Sequence, residues 1–564
     1  MAELSVTRKN ISKLFSEMQD RKYIIPDYQR PYKWDEEKCE TLWNDITIFF
    51  DEKKEGEEYF LGTIVTCKGD DSKNEIEIID GQQRITSLFL LLRAFYRKLE
   101  KMQEDENIIG LKSQIAPCLW NVDSISRKVK DTSKIHIESR VATETDNEVF
   151  HTILREGKMS DKNKDLYTSN YSFFCDKCDD YARDNPTRWQ QLCVTILEKC
   201  IILPIECENI DIALTIFTTL NDRGMPLSDS DIFKAQIYKT KISNDEKKTF
   251  TESWKELTYT TDNAKICLDD LFRYYTHIIR ARNNDKTKEI GLRKFYALNN
   301  YARLKESNLM DDLSDLSEFW FTVNTGKTKV NDVEKIDSEA QKYLHCLQCY
   351  PNEYWKYIVS VFFYKNKDSI DFINTFPLFL KKLTASLFVK FIEKPTVNAI
   401  KDYIYQGGID VYANIPLSVE NILKTDLFKN AISMTFSSKI AKALILLQAY
   451  QNLNQETIIL SEFEIEHIFP KKWQNTNYHG WTKEDADEYL EKFGNKVAIE
   501  KRVNIQAGNG YFGKKKDKYL KSKIAEVLDL GSYGENDWVK NDIEKREVDF
   551  TTDLLKFFRD NLVS

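Results

Sequence analysis

The chain has 564 residues, enough for about three or four domains, which excludes a single small module. Its 82 Lys and Arg against 90 Asp and Glu give a net charge of −8, with 41% apolar residues, as in an ordinary globular protein. Because an acidic protein repels phosphate overall, a nucleic-acid partner has to be held by a local basic surface. The sequence start and the short apolar runs predict a cytoplasmic protein without a membrane partner.

The eleven cysteines lie between Cys39 and Cys349 and are too sparse for a secreted disulfide scaffold, so we expect reduced thiols. Two pairs, Cys175/Cys178 and Cys346/Cys349, have the spacing of zinc ligands. The second pair lies in a run with helical periodicity, where the same spacing places two small apolar side chains on one face. Zinc binding is therefore the weaker alternative.

The first elements that the sequence predicts are a β-hairpin and a following helix. Residues 59–67 and 75–79 are rich in β-branched residues, whereas apolar residues recur at helical spacing from Ile85. Residues 80–84, Asp-Gly-Gln-Gln-Arg, therefore join a strand to a helix N-terminus. A strand end, a glycine, an arginine and free helical N–H groups together indicate a phosphate site. The alternative is a polar turn whose glutamines cap the helix.

Two further segments flank this motif along the chain. Residues 25–34 place aromatic and basic side chains between two prolines, which stiffen the segment, and residues 220–228 predict a tight turn with a new N-cap. From about residue 145 to about 455 the sequence predicts helices with polar connections. Short β-like runs then return at 463–468 and 496–499, and a Lys-rich helix is predicted from about Lys514.

An acid and an imidazole stand side by side near the second group of strands, at Glu466 and His467. On a regular strand these side chains face opposite ways, so a bulge or turn is needed to bring both to one site. Asn495 and Asn504 follow downstream. Acid and amide oxygens suit a hard cation such as Mg²⁺, and a neutral histidine can take a proton from water. Together they predict a one-metal phosphodiester hydrolase.

A local basic region covers residues 492–523, which carry ten Lys or Arg against two acidic residues. Lys514, Lys515 and Lys516 within it are expected to contact the phosphate backbone of DNA, which predicts that binding weakens steeply with salt. The alternative is a solvated helix face with no partner.

These carboxy-terminal motifs resemble the HNH or ββα-metal nucleases, and specifically the nuclease domain of GmrSD-type modification-dependent restriction enzymes. The resemblance implies that His467 is the general base, with Asn495 bracing the loop between the strands of the catalytic site. It implies that Glu466 and Asn504 hold Mg²⁺ or Mn²⁺. Asn509 is the alternative to Asn504, because the run after Asn495 departs from the Leu-x-Leu usual in the family and leaves the strand register open.

The amino-terminal segments resemble, in order and composition, the other domain of the same enzymes, which has a ParB/sulfiredoxin-like core and binds and hydrolyses nucleoside triphosphates (NTPs). The resemblance carries over a nucleotide motif formed by Asp80, Gly81, Gln82, Gln83 and Arg84, with Gln29 and Arg30 as neighbours in the same cleft. It covers roughly residues 20–235 and 460–520 and assigns no function to the helical stretch between them.

The predicted fold is a predominantly helical α+β multidomain protein. Residues 1–240 are expected to form a ParB/sulfiredoxin-like α/β domain, 241–455 a helical connector, and 456–564 a ββα-metal (HNH) nuclease domain. The predicted function is an NTP-regulated, metal-dependent endonuclease that acts on modified phage DNA. Two alternatives remain open: a nucleotide-responsive DNA-binding regulator with an inactive nuclease domain, and a toxin-like nuclease acting on RNA or host DNA. Whether the protein forms a homo-oligomer is also left open.

Overall fold

The chain divides into two compact units in the computed structural model, Met1–Glu252 and Ser253–Ser564. The residues that the structure describes are 5–19, 21–26, 28–68, 74–141, 144–159, 165–208, 212–213, 216, 228–326, 336–396, 400–417, 430–432, 439–460, 462–476, 478 and 480–562. The elements are mainly helical, with a mixed sheet in the amino-terminal region, as expected for an α+β protein.

The first unit is built on a mixed seven-stranded sheet. Its strands and those of a separate small hairpin are β1 (Ser5–Val6), β2 (Lys9–Asn10), β3 (Lys22–Ile25), β4 (Tyr59–Lys68), β5 (Glu75–Asp80), β6 (Trp120–Val122), β7 (Val129–Ile135), β8 (Ile137–Ser139) and β9 (Cys200–Cys207). The sheet has the order β1-β9-β4-β5-β3-β8, with β2 also paired to β9, and β6 pairs with β7. The antiparallel pairing of β4 with β5 confirms the predicted hairpin.

Helices cover this sheet. They are Ile11–Ser16, Glu36–Glu52, Gln82–Glu100, Glu106–Leu119, Glu144–Glu156, Leu166–Asp184, Trp189–Lys199 and Asp229–Tyr238. The helix Gln82–Glu100 follows β5 directly, and its residues 88–92 are all fully buried. Since this helix lies in the core, the connection at 80–84 is held firmly between a central strand and a buried helix.

In the residues that the structure describes, the second unit is helical apart from one two-stranded hairpin. Its helices are Leu268–Arg282, Leu292–Tyr301, Leu309–Thr325, Ser338–Gln348, Trp355–Asn366, Phe372–Glu393, Lys401–Tyr412, Ala441–Gln451, Lys483–Tyr489, Lys501–Ala507, Phe512–Tyr519, Ala525–Gly531 and Lys540–Leu562, and Asn244–Asn263 runs from the first unit into the second. By length and composition, Phe372–Glu393 could cross a membrane, and 67% of its most apolar window is buried inside the structure.

The hairpin of the second unit pairs β10 (Phe463–His467) with β11 (Lys496–Glu500). The helix Lys501–Ala507 follows β11 without a gap, so the order is strand, strand, helix. Two contacts cross the division that the sequence predicts near residue 455. Tyr450 in the helix before it accepts a hydrogen bond from the backbone N–H of Ile459, and Tyr343 stacks on Phe557.

Candidate active site

The end of β10 presents Glu466 and His467 on opposite faces of the hairpin. The antiparallel register runs without a shift from Phe463 opposite Glu500 to His467 opposite Lys496. Neighbouring residues of a regular strand point to opposite faces. The bulge needed to bring the two side chains to one site is therefore not present, and this corrects the expectation that they act side by side.

His467 pairs instead with Glu491, which lies just before β11. Its Nε2 is 3.2 Å from Oε1 of Glu491, whose Oε2 is 2.6 Å from Nζ of Lys496. Burial lowers the pKa of His467 to about 4, opposed by the Glu491 charge, so the imidazole is neutral near pH 7. Burial opposes ionisation of Glu491, but its hydrogen bond and ion pair with Lys496 lower its pKa. Glu491 is a partner that the motif did not predict.

Glu466 belongs to a buried ion pair. Its Oε1 accepts hydrogen bonds from Nζ of Lys515 and from the hydroxyl of Tyr519, each at 2.8 Å, and its Oε2 accepts one from the His467 backbone N–H. The Lys515 side chain is 0% exposed and also donates to the His467 carbonyl oxygen. These contacts correct two expectations: the Glu466 carboxylate is occupied by protein donors, and Lys515 lies inside the unit rather than against DNA.

Asn504 meets a different carboxylate from the one expected. It lies on the helix Lys501–Ala507 and donates from Nδ2 to Oε2 of Glu464 at 2.6 Å, and both residues are half-buried. Glu464 precedes Glu466 by two residues on the same strand face, a spacing by which the sequence could have pointed to it. Asn509, the reserve candidate, lies exposed in the turn after the helix.

Asn495 is fully buried and holds the chain segment that follows β10. Its Oδ1 accepts from the Phe469 N–H at 2.6 Å, and its Nδ2 donates to the carbonyl oxygens of Phe469 and Leu490. These contacts set the position of the strand end beside His467. Asn495 is thus a positioning residue, with no face open to a substrate.

The basic region of residues 492–523 is only partly on the surface. Its exposed members are Lys501, Arg502, Lys514, Lys521 and Lys523. Lys516 is half-buried and donates to the carbonyl oxygens of Tyr533 and Glu535. Of the three lysines expected to contact DNA, Lys514 is the one whose side chain faces solvent.

In the first unit, Gly81 forms the connection between β5 and the buried helix. Its φ of +87° lies in the left-handed region, and a Cβ atom there would come within 2.6 Å of the Ile64 side chain, so a glycine is required. The helix Gln82–Glu100 has no side-chain hydrogen bond at its N-cap. The first N–H groups of a helix, at the positive end of its dipole, are a type of group that can bind a phosphate.

Gln82 and Gln83 hold the proline-rich segment against this connection. Gln82 donates to the Arg30 carbonyl oxygen at 3.2 Å, and Gln83 donates to that of Pro31 at 3.0 Å while accepting from the Lys33 N–H at 2.7 Å. The glutamines therefore tie a loop to the motif rather than cap the helix. The structure brings together the two segments that the sequence placed in one cleft.

Arg84 of the motif and the neighbouring Arg30 both have partners within the first unit. Arg84 donates to the Thr63 carbonyl oxygen at 3.1 Å, and burial lowers its pKa while the Asp80 charge opposes that shift. Arg30 pairs with Asp231 at 3.2 Å.

Two other predicted features can be placed in part. Gln29 is buried next to Arg30, with its carbonyl oxygen 3.5 Å from Nζ of Lys234. The segment 220–228 lies outside the described residues except for Ser228, which forms a capping box with Asp231.

Cys175, Cys178 and Cys346 lie on helices, and Cys349 is the C-cap residue of the helix Ser338–Gln348. All eleven cysteines are free, and burial raises the pKa of Cys175, Cys178 and Cys346. Among the described residues, no group of three or more His, Cys, Asp or Glu side chains could hold a metal ion. In that part of the chain the pairs behave as small apolar side chains.

Two family models match this chain, in the order of the predicted motifs. The model described as "GmrSD restriction endonuclease, N-terminal domain" matches residues 11–238, and the model described as "GmrSD restriction endonucleases, C-terminal domain" matches residues 418–552. The comparison with curated proteins gave no match. Because the two models together cover more than half of the sequence, the chain belongs to the GmrSD restriction endonuclease family, whose modification-dependent nucleases have DNA as their substrate.

Proposed function

We propose that this protein is an NTP-regulated, metal-dependent endonuclease of the cytoplasm, with an HNH-type nuclease domain, that cleaves or nicks modified phage DNA in antiviral defence. The observation that carries the proposal is the contact of 3.2 Å between His467 Nε2 and the Glu491 carboxylate, at the end of a strand within the matched carboxy-terminal domain. A neutral imidazole can take a proton from the water that attacks a phosphodiester.

The proposed proton acceptor is Nδ1 of His467. The ionised Glu491 carboxylate only accepts hydrogen bonds, so the neighbouring Nε2 carries the imidazole proton and Nδ1 is left to accept one. Lys496 keeps the carboxylate ionised by its ion pair. In this arrangement Glu491 orients the base, and Asn495 positions the strand end on which the base lies.

A hard cation fits Glu464 and Asn504 better than the pair that the family resemblance implied. The Glu464 carboxylate is half-buried and accepts a hydrogen bond from the amide group of Asn504, whereas Glu466 is neutralised by Lys515. Mg²⁺ or Mn²⁺ bound there would act as a Lewis acid on a phosphate oxygen. Glu464, with Asn504 bound to it, lies on the strand face opposite His467.

We expect Glu464→Gln and Asn504→Ala each to raise the Mg²⁺ concentration needed for half-maximal cleavage by about tenfold or more, since each removes an oxygen ligand. Mn²⁺ should restore part of the activity, because it binds mixed N/O sites more readily than Mg²⁺. Plasmid nicking over a metal titration measures this. Glu462→Gln, an exposed carboxylate nearby, is the matched control. An unchanged metal dependence in both variants would contradict the proposed ligands.

The NTP is proposed to bind where β5 meets the helix Gln82–Glu100, in a domain with a ParB/sulfiredoxin-like core. Gly81 gives the close backbone approach that phosphates need, and the uncapped helix start supplies N–H donors. Arg84 and Arg30 are the nearby guanidinium groups that could neutralise phosphate charge, with Asp80 at the strand end.

For this site we expect Arg84→Ala and Asp80→Ala to lower NTP hydrolysis by about 10- to 100-fold, the effect of losing a charged hydrogen bond. Phosphate release under saturating NTP measures it, and Arg183→Ala, which removes an exposed arginine of the same unit, is the control. Circular dichroism separates lost chemistry from lost folding, because Arg84 also binds the Thr63 carbonyl oxygen. Undiminished turnover in both folded variants would overturn the assignment.

One observation favours the alternative of a DNA-binding regulator with an inactive nuclease domain: the Glu466 carboxylate is occupied by Lys515 and Tyr519. Mg²⁺-dependent nicking of plasmid by the purified protein distinguishes the two. A panel of modified phage DNA, unmodified DNA and RNA, with and without each NTP, then tests the modification-dependent nuclease against a toxin-like one.

A further inference from the structure

The hairpin of β6 and β7 stands apart from the central sheet of the first unit and carries an apolar residue at its tip. Trp120 anchors its base in the core, and Gln19 accepts a hydrogen bond from the Val122 N–H at 3.1 Å. Asp123 shapes the turn by accepting from the Ile125 N–H. The Ile125 side chain at this turn is 94% exposed. The turn contacts involve its backbone N–H and not its apolar side chain.

Positive charge accompanies this apolar tip. The exposed cations of the hairpin are Arg127, Lys128, Lys130 and Lys134. The same hairpin contains two acidic residues, Asp123 and Asp131. The Asp123 carboxylate accepts a hydrogen bond from the Ser126 N–H in the turn and lies 3.8 Å from Nζ of Lys130. In a chain of net negative charge, this short element is positive.

A cavity of about 360 Å³ at the base of the hairpin continues the same charge. The cations in its lining are Arg21, Lys22 and Lys134, with Glu138 bound to Lys22 at 2.5 Å. Among the lining residues that the structure describes, no Phe, Tyr or Trp is available to stack on a nucleobase.

This cavity is distinct from the proposed NTP site. Strands β3 and β5 run parallel, with Lys22 opposite Glu75, so Lys22 lies at the start of these strands. Asp80 lies at the other end of β5, where the NTP motif begins. The two sites therefore occupy opposite ends of the sheet, and the nucleotide assignment leaves the cationic cavity unexplained.

We propose that the β6–β7 hairpin and the cationic cavity at its base form a DNA-binding surface of the first unit, with Ile125 entering a groove of the duplex. We call this the hairpin surface. The inference rests on the proposed function only in taking DNA as substrate. Six residues separate Lys128 from Lys134, or roughly 20 Å of strand, about the length of six base pairs. A row of cations of that length fits a polymeric phosphate backbone better than one free nucleotide.

The salt dependence of binding tests the cations. The triple variant Lys128→Gln/Lys130→Gln/Lys134→Gln should bind duplex DNA more weakly. The slope of log affinity against log salt should fall by about two to three, since each lost phosphate contact removes about 0.9. Fluorescence anisotropy of the full chain with a labelled duplex, in EDTA to prevent cleavage, measures both. Lys54→Gln/Lys101→Gln/Lys158→Gln removes three exposed lysines elsewhere on the same unit and is the control.

Ile125→Ser tests the apolar tip separately. We expect a dissociation constant about tenfold higher, the cost of no longer burying one aliphatic side chain, with an unchanged salt slope because no phosphate contact is lost. The side chain is exposed, so this change leaves the fold intact. The proposal would be overturned if the triple lysine variant and Ile125→Ser both bound DNA with the same affinity and the same salt slope as the control triple variant.

Two results separate this inference from the proposed function. Because binding is measured without metal, a protein that fails to cleave DNA can still support or overturn the hairpin surface. Conversely, loss of cleavage in a His467 variant that keeps normal DNA affinity tests the proposed nuclease mechanism and not the hairpin surface. If the triple lysine variant loses NTP hydrolysis but keeps its DNA affinity and salt slope, the cavity takes nucleotide phosphates and the proposal is wrong.

Discussion

His467→Ala is expected to lower the rate of DNA cleavage by about 10² to 10⁴, the usual contribution of a positioned general base. The imidazole is neutral near pH 7 and oriented by Glu491, so its removal takes away the proposed proton acceptor, while Lys496 still pairs with the Glu491 carboxylate. DNA affinity and NTP hydrolysis should stay nearly unchanged, because the side chain contributes to neither proposed surface. Added Mn²⁺ should not restore the rate.

Single-turnover cleavage of a plasmid, with DNA affinity measured in parallel, checks this expectation. Glu491→Gln is the informative companion, since it keeps the imidazole and removes the carboxylate that orients it. We expect that variant to lose less activity than His467→Ala. If His467→Ala cleaves DNA at the parental rate, the nuclease mechanism is wrong and the DNA-binding regulator takes its place.

Lys515→Met is expected to destabilise the second unit by about 3–5 kcal/mol, because it leaves the Glu466 carboxylate buried without its cation. The Tyr519 hydroxyl still donates to that carboxylate, yet it is neutral and cannot balance the charge. The double variant Glu466→Gln/Lys515→Met removes both charges and should recover most of the lost stability.

Thermal unfolding of the full chain measures this effect, with Lys514→Met as the control. Lys514 is the exposed neighbour on the same helix, and its loss should change stability little. DNA affinity provides the converse test, since Lys514→Met should weaken binding by about one phosphate contact. A Lys515→Met protein as stable as the control but defective in DNA binding would show that Lys515 contacts DNA and that the buried ion pair is unimportant.

Sequence periodicity was sufficient to predict the strands and helices around both sites. The antiparallel β4–β5 hairpin, the helix after Gly81 and the strands β10 and β11 all lie where the pattern predicts them. These elements depend on side-chain alternation and helical spacing within a few residues, which is information that a short stretch of sequence contains. The sequence left the register of β11 open, and the pairing of β11 with β10 in the structure determines it.

The different contacts of the neighbouring carboxylates Glu464 and Glu466 depend on tertiary packing. Glu464 and Glu466 share one strand face, and the motif alone favoured Glu466 as a ligand. The helix Phe512–Tyr519 makes their surroundings different, because it places Lys515 beside Glu466. The pairing of His467 with Glu491, 24 residues later, likewise depends on how the chain returns to β11.

The sequence by itself determined the family, the local elements and the residue types from which each site is built. It placed a glycine where the backbone turns after β5 and a histidine at the end of β10, since those positions follow from local pattern. Only the tertiary structure decided which side chains meet and which lysines reach solvent. The reason is physical: a contact between distant residues depends on the packing of whole helices against strands, and a run of lysines has the same charge whether its members are buried or exposed.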